Sequence, residues 1–562
     1  MRVKKGKPRR ILGIKPRGHD ASAALVSCGR LVAAASEERF DRTKHSEAVP
    51  LAAIRYCLES ARIRPAKIDI LAFGLDPAKA FHWFCNECPN RFSASHSFVL
   101  EMCDWTLRNL DAVHSIGQAF QGTKELRFID HHLCHAYHAF VMSGFRQSAI
   151  LTVDGYGDME STVLWTVDRS GYRKVAFAAF PHSLGYLFGG FTKFLGFRPD
   201  FDEGTVMALA ARGKPRYFPK VMNLITFDRD SLYRLDLTAF PFLTGEGSLW
   251  GDCFPRLFGP PRKPGARLTA NHFDIAASVQ MALEETLLQI LAHPALKSMK
   301  NLCLAGGVAL NCAANGVIRR KARFREVFVP PAAGDDGIAL GAAFAAHFEH
   351  ASEPPDITCG ALLGPQFSNE EIATALVGNR FETCSKPALC QRVASLMEQG
   401  AVGGWFQGRM EFGARALGNR SILADCRSAS VRDRLNAKIK NREPFRPFAP
   451  AVAEEAAGEY FDIHTSPFMS LAVSVRPAWK EKLAGVTHAD GTARVQTVSA
   501  SSQPLFHRLL KTLRSKTGFP IVLNTSFNGR DEPIVCTPRE ALATYHKLRL
   551  DFLAIGKHLL IR

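Results

Sequence analysis

ILGIKPRGHDASAALVSCGRLVAAASEERF, residues 11–40, decides how this chain is read. Two apolar runs flank a Gly-His-Asp turn, and a second turn, Ser27-Cys28-Gly29-Arg30, leads into a third run. That pattern predicts strand, turn, strand, hairpin, strand. The phrase returns at AILTVDGYGDMESTVLWTV, residues 149–167, where a strand enters a turn holding Asp154, Gly155, Gly157 and Asp158 and a further strand follows. Recurrence of one supersecondary phrase predicts an internal duplication.

Two such halves facing each other across a cleft is how actin-like nucleotide-binding folds are built. Outward from the repeats, Ile275, Val279, Leu283, Leu287 and Leu291 recur every four residues, which predicts a helix over 271–295 with Asn271 as its cap. NLCLAGGVALN, 301–311, reads as a buried strand ending at Gly306-Gly307. VFVPPAAGDDGIALGAAFAAHF, 327–348, reads as a strand, a turn and an Ala-rich helix, so Gly-Asp-Asp-Gly sits where a helix N-terminus can face a ligand. A polar stretch rich in Pro and Gly at about 350–370 marks a boundary. The strands AVGGWF and FPIVLNTSF, 519–527, belong to a second region. The expected division is a basic tail at 1–10, a first domain at 11–355 and a second at 370–562.

A chain of 562 residues, 46% hydrophobic and 22% charged, is ordinary globular material too long for one core. No run of eighteen apolar residues occurs, so no membrane span is expected. MRVKKGKPRR is followed by no signal-peptide core. The 14 cysteines are scattered, several in apolar context, which fits reduced thiols and a cytoplasmic protein. Cys85 and Cys88 form a lone C-x-x-C without the second pair a zinc site needs, and the pair reads as incidental. The net charge of +18 suits phosphorylated substrates as well as nucleic acid. Without an RRM, KH or zinc-finger pattern, a nucleic-acid partner is not expected.

The most chemically loaded segment is IDHHLCHAYHAF, 129–140. His131 and His135, four apart, share one helix face and can share one metal ion. Asp130, His132 and His138 are candidates to support them. Asp154 and Asp335, in Gly-flanked turns, are candidate carboxylate ligands, and an N₂O₂ set suits iron, manganese or zinc. Between Arg409 and Arg446 stand ten cationic side chains against four acidic ones, interleaved with Gly, Pro and aromatic residues. Arginines presented that way grip phosphates. THADGTARVQTV, 487–498, and LNTSFN, 523–528, add Arg494 and an amide and hydroxyl cluster. No Walker A motif, dinucleotide fingerprint or nucleophile elbow is present.

Eleven strings in order and spacing, GHDASAAL, EERFDRTKH, DHHLCHA, VDGYGD, DEGTVMALAA, GGVALN, PAAGDDGIALGAA, WFQGRMEFGARALGNRSILAD, REPFRPFAP, THADGTARVQ and LNTSFN, resemble the O-carbamoyltransferase family of NodU, CmcH and TobZ over about residues 10–558. The resemblance implies an α/β protein with a duplicated actin-like (ribonuclease-H-like) N-terminal domain akin to TsaD, followed by a YrdC-like α/β domain. It implies that the second domain makes carbamoyl-adenylate from carbamoyl phosphate and ATP, and that the first passes the carbamoyl group to a hydroxyl of a small-molecule acceptor. Carried over motif by motif, His131, His135, Asp154 and Asp335 would hold one divalent metal, commonly Fe(II). His19 and Lys44 would lie at the transfer site, with His19 or Asp20 as base. Arg415, Arg446, Arg494 and Asn524 would hold carbamoyl phosphate and ATP. Asp202, Glu203, Gly306 and Gly307 are expected to touch nucleotide or acceptor, near Thr205, which stands where the family commonly has Lys. A homodimer is compatible with this reading. A fragment starting near 370 is expected to retain adenylate formation. The acceptor pocket is expected from 76–125 and 225–270. The alternatives are a threonylcarbamoyl-type tRNA-modifying relative and a non-catalytic nucleotide-binding module.

Overall fold

A computed structural model describes residues 9–92, 94–228, 231–243 and 249–562. Most of the expected basic tail, residues 1–8, and parts of the expected acceptor stretches, residues 93, 229–230 and 244–248, lie outside the described residues. The described residues form two compact units, one within 9–37 and 47–357, the other of 38–46 and 358–562.

The opening phrase folds as read. Strands β1 (Arg10–Lys15), β2 (Ser22–Ser27) and β3 (Arg30–Ser36) form an antiparallel set. The two-residue β2–β3 loop places Cys28 and Gly29 at φ 53° and 77°, the left-handed pair that tight hairpin turns need to match strand twist. β4 (Ile70–Phe73) and β5 (Glu125–Phe128) then join in parallel, giving the order β3-β2-β1-β4-β5. The second phrase repeats this. β6 (Ser148–Gly157), β7 (Glu160–Asp168) and β8 (Gly171–Ala179) are antiparallel. After a small hairpin of β9 (Ile225–Asp228) and β10 (Leu232–Leu235), β11 (Asn301–Ala305) and β12 (Glu326–Phe328) extend the second sheet in parallel. Its order, β8-β7-β6-β11-β12, copies that of the first sheet element for element. This is the duplicated actin-like topology.

Small residues let the helices of this unit approach closely. The helix Ile338–Phe348 is buried from Ile338 to His347. A Cβ at Gly341 would lie 1.9 Å from the Cys134 carbonyl oxygen, and one at Gly13 would lie 2.0 Å from that of Ala339. Both contacts are to backbone, which cannot yield cheaply. Gly341 thus fixes how closely the helix His131–Ser143 lies against the helix that begins just after Asp335. Gly341→Ala is expected to cost about 3 kcal/mol, within the range for overpacking, read as a lower urea midpoint with unchanged slope. A midpoint shift below a quarter of that expected would show that the two helices part without cost.

The expected helix at 271–295 runs Ala270–Leu291. Its cap is Thr269, not Asn271: the Thr269 side chain takes the His272 backbone and the His272 ring takes the Thr269 backbone. The Asn271 side chain instead donates to the Phe258 carbonyl and accepts from the Tyr217 hydroxyl.

The second unit is an eight-stranded mixed sheet in the order β13-β22-β21-β14-β15-β20-β16-β19. Its strands are β13 (Glu382–Thr383), β14 (Gly403–Phe406), β15 (Arg420–Ala424), β16 (Ala449–Ala453), β19 (Gln496–Val498), β20 (Ile521–Ser526), β21 (Phe552–Ile555) and β22 (His558–Ile561). A separate pair, β17 (Ala472–Ser474) and β18 (Thr492–Arg494), carries Arg494. Both sheet faces are apolar. Ile422, Ile521, Leu523, Leu553 and Ile555 enter one core, while Leu423, Val522, Phe552 and Ala554 enter the other. Period-two alternation between two buried faces produces the continuous apolar runs seen in the sequence.

Residues 38–46 belong to this second unit, which the sequence division at 355–370 did not anticipate. Phe40 packs on Met410, Ala416, Ile534 and Cys536. Arg39 donates to the Gly413 carbonyl, and Arg42 donates to the carbonyls of Pro533 and Ile534.

Candidate functional site

In the first unit, one ligand atom each from His131, His135, Asp154 and Asp335 lies within 4.8 Å of the others, and all four residues are buried. Three elements deliver them. The histidines share a face of the helix His131–Ser143, Asp154 stands on β6, and Asp335 opens the turn before the helix Ile338–Phe348. His135 Nε2 is 2.9 Å from Asp154 Oδ2 and 3.6 Å from Asp335 Oδ1, and His131 Nε2 is 3.5 Å from each. Tetrahedral ligands at about 2.1 Å from an ion stand about 3.4 Å apart, so the spacing fits a bound metal. His131 Nε2 is buried without a hydrogen-bond partner among the described residues, as a nitrogen kept for an ion would be. Burial opposes charge on His135, but its bonds to Asp154 and Asp335 prevail and raise its pKa to about 9. Asp335, despite burial, is held well below the usual carboxylate range by Lys15, His131 and His19.

The surrounding residues hold these four in place. Asp130 caps the histidine helix at the Leu133 amide and pairs with Lys79. Asp158, at φ 55°, accepts from the His131 and Asp76 amides. Burial, then the Asp130 charge, push Asp158 up to about 7. His132 spends both ring nitrogens, on Thr152 Oγ1 and the Glu160 carbonyl, and burial with its neighbours His131 and His135 lowers it to about 3. It therefore braces the helix against β6 and β7. His138, also lowered to about 3 by burial and His135, packs where a Gly337 Cβ would lie. A Cβ at Gly157 would come within 2.0 Å of the His131 ring, so that glycine makes room for a ligand.

Lys15 Nζ lies 2.6 Å from Asp335 Oδ2, the oxygen turned away from the histidines, and also donates to the His19 carbonyl. His19 Nε2 is 3.8 Å from the same oxygen, and its Nδ1 is 3.1 Å from Asp20. About half of the His19 side chain is exposed (54%), so it stands at the open edge of the cluster. Desolvation and Lys15 oppose its protonation, but Asp335 and Asp20 outweigh them and raise its pKa.

The second unit gathers cations. Lys440 Nζ donates to the Ser526 carbonyl at 2.5 Å, the Asn528 carbonyl at 3.0 Å and Asn528 Oδ1 at 2.7 Å. Burial, then Arg442, Arg446 and Lys44, push its pKa well down. Burial, then Arg446 and Arg494, do the same to Arg442, which also stacks 4.4 Å over Phe448. Arg494 keeps a buried Nε without a partner, and Asn524 a buried Oδ1. Like charges held this close in a partly buried setting destabilise one another. A polyanion between them would reverse the sign of that term.

Two matches to families of known proteins cover most of the chain. Residues 10–344 match the family described as carbamoyltransferase N-terminus, and residues 394–562 match carbamoyltransferase C-terminus. The chain belongs to the carbamoyltransferase family. Among relatives, the uncharacterized protein sll1178 of Synechocystis is 37% identical, over 98% of this chain and 96% of its own. The nodulation protein NolNO of Sinorhizobium fredii is 40% identical over 96% and 79%. A 3'-hydroxymethylcephem-O-carbamoyltransferase of Amycolatopsis lactamdurans is 30% identical over 93% and 94%. The protein is thus an enzyme, a transferase of carbamoyl groups to oxygen of small molecules.

Within this carbamoyltransferase the residues singled out from sequence fall into three groups. His131, His135, Asp154 and Asp335 converge, with His19 and Asp20 beside them. Arg446 and Arg494 act on one another's neighbourhood in the second unit. Lys44 belongs there too, acting on Lys440. Asn524 donates to Gln496 Oε1 at 2.8 Å and to the Ala416 carbonyl, tying the half-buried Arg415 segment to β20. The last group has structural work. Gly306, at φ 90°, would put a Cβ 2.2 Å from the Val153 carbonyl, and one at Gly307 would be 2.9 Å from Asp154 Oδ1. Asp202 is spent on Arg198, and Glu203, which accepts from the Asp200 amide, is pushed up to about 7 by burial. Thr205 is buried.

Several of the ten clustered cations also have internal duties. Arg420 is fully buried, donates to the carbonyls of Gln407 and Pro365, and stacks 3.7 Å over Phe406. Arg427 pairs with Asp425, and Arg434 with Asp551. Sequence reasoning missed Lys15, Gln496 and Glu411. Glu411 Oε1 accepts from the Leu417, Asn419 and Arg420 amides and so sets the loop carrying Arg415. Its signal was an acidic residue alone in a basic, Gly-rich run.

Proposed function

We propose that this carbamoyltransferase makes carbamoyl-adenylate from carbamoyl phosphate, water and ATP in its second unit, water releasing phosphate from carbamoyl phosphate and the resulting carbamate displacing pyrophosphate from ATP. The first unit then transfers the carbamoyl group to an acceptor hydroxyl, leaving AMP. The observation that carries the reading is the cationic group of Lys44, Lys440, Arg442, Arg446 and Arg494, in which Arg442, Arg446 and Lys44 lower the pKa of Lys440, and Arg446 and Arg494 that of Arg442. Joining two polyanions requires fixed positive charge to offset their repulsion. Glu411, which accepts from the Leu417 amide, and Asn524, which donates to Gln496, fix the backbone around Arg415.

For the transfer step, His131, His135, Asp154 and Asp335 would hold one divalent ion, proposed to be Fe(II) on the family resemblance. When bound, it supplies Lewis-acid polarisation. Lys15 and His19, both against Asp335, hold positive charge at the edge of that cluster. A raised pKa keeps His19 a proton donor, suited to the developing charge on the leaving phosphoryl group. Asp20 is then the acceptor of the hydroxyl proton in the pair. The proposed setting is the cytoplasm. No helix of the described residues is long and apolar enough to cross a membrane.

The test is pyrophosphate release by purified protein with ATP, with and without carbamoyl phosphate, and with no acceptor. Release that requires carbamoyl phosphate is expected. ATP turnover indifferent to carbamoyl phosphate would refute the adenylate-forming step.

A further inference from the structure

The C-x-x-C at Cys85 and Cys88 is not where the structure places a sulfur pair. Cys85 lies in the helical turn Trp83–Glu87, and Cys103 on the helix His96–Ala119. Their Sγ atoms are 3.0 Å apart, although 18 residues separate them in sequence. That is about 1 Å more than an S–S bond. The backbones are already pinned, since Phe84 packs edge-on against Phe98 at 6.2 Å. Both thiols are half-buried, while Cys88 is fully buried. Among the described residues, neither group spaced for a metal ion contains a cysteine, so the pair is not part of a thiolate metal site.

We propose that Cys85 and Cys103 are an oxidisable dithiol that closes to an intrachain disulfide by exchange with a low-molecular-weight disulfide. In the first step one thiolate attacks a sulfur of the external disulfide, forming a mixed disulfide and releasing one small thiol. In the second, the partner thiol loses its proton and attacks the protein sulfur, releasing the second small thiol. Two protein thiols are oxidised and one external disulfide is reduced to two thiols. Burial, then contact with Cys103, push the Cys85 thiol up to about 12, and the exchange balances whichever thiol attacks first. The bond would clamp the helix on which Met102, next to Cys103, accepts from the Tyr156 hydroxyl at 3.8 Å; Tyr156 lies two residues beyond Asp154. The device would stiffen the wall beside the metal-type cluster.

The experiment uses the whole protein, incubated with oxidised glutathione, quenched with an alkylating agent and mapped by non-reducing peptide mass spectrometry. The expected product is one Cys85–Cys103 cross-link, with loss of two titratable thiols and a melting temperature raised by several degrees, all reversed by dithiothreitol. Cys88→Ser should keep the cross-link, and Cys103→Ser should replace it with a stable glutathione adduct or unmodified Cys85. A Cys85–Cys88 link in the unsubstituted protein, or separate glutathione adducts on Cys85 and Cys103, would overturn the proposal without reference to any variant.

Discussion

His135→Ala lowers bound metal and carbamoyl transfer together, each by at least about 100-fold, while pyrophosphate release driven by carbamoyl phosphate continues at close to its original rate. The scale follows from residues that merely orient a ligand, whose loss costs about 10–100-fold in metal affinity or activity. His135 is fully buried and contacts both carboxylates. Its removal leaves Asp154 and Asp335 facing each other with one fewer positive or metal-binding partner between them. The measurement is metal content by mass spectrometry beside two separate assays, acceptor carbamoylation and pyrophosphate release. Equal loss of both half-reactions would sink the division of labour between the units. Retained metal would remove His135 from the ligand set.

Arg446→Ala and Arg494→Ala each lower carbamoyl-phosphate-dependent pyrophosphate release by about 10²–10³-fold, the range for removing one fixed electrostatic contact to a transition state. Both arginines depress the pKa of Arg442, so each substitution also relieves repulsion inside the cationic cluster. The protein is therefore expected to hold or gain stability while losing activity, a combination that a merely structural role does not produce. Arg427→Ala is the control. The charge of that arginine is already matched by the Asp425 carboxylate at 2.6 Å, so its removal is expected to leave release within about two-fold. Normal release by Arg446→Ala and Arg494→Ala would move the anion site elsewhere.

Some of this was legible in the sequence because the relevant periodicities are short. The strand phrases at 11–40 and 149–167 announced themselves through turn residues, and the His131 and His135 pair through a four-residue spacing. Convergence was not legible. Asp335 meets the histidines because Gly341 lets two helices touch at the Cys134 carbonyl, and no local pattern encodes a distance between remote backbones. Lys15 looked like one more basic residue until Asp335 stood 2.6 Å away. The cationic run misled in the opposite direction. Arg434 answers to Asp551, 117 residues on, and Arg420 to carbonyls including that of Pro365. Sequence position alone cannot separate charges the fold consumes from charges left for a ligand. Thr269 displaced Asn271 as a helix cap because the reciprocal partner was a histidine rather than the usual Glu or Gln.

Residues 38–46 give the gene a layout that its protein does not share. Nine codons belonging to the second unit are embedded in the reading frame of the first. No single crossover can exchange the second unit of this chain intact. A clone beginning near codon 370 would lack the Phe40 plug and the arginines at 39 and 42 that bind its loops. Recombination, in the laboratory or in a genome, must therefore carry the two halves as one unit of inheritance or supply the short insert from both parents.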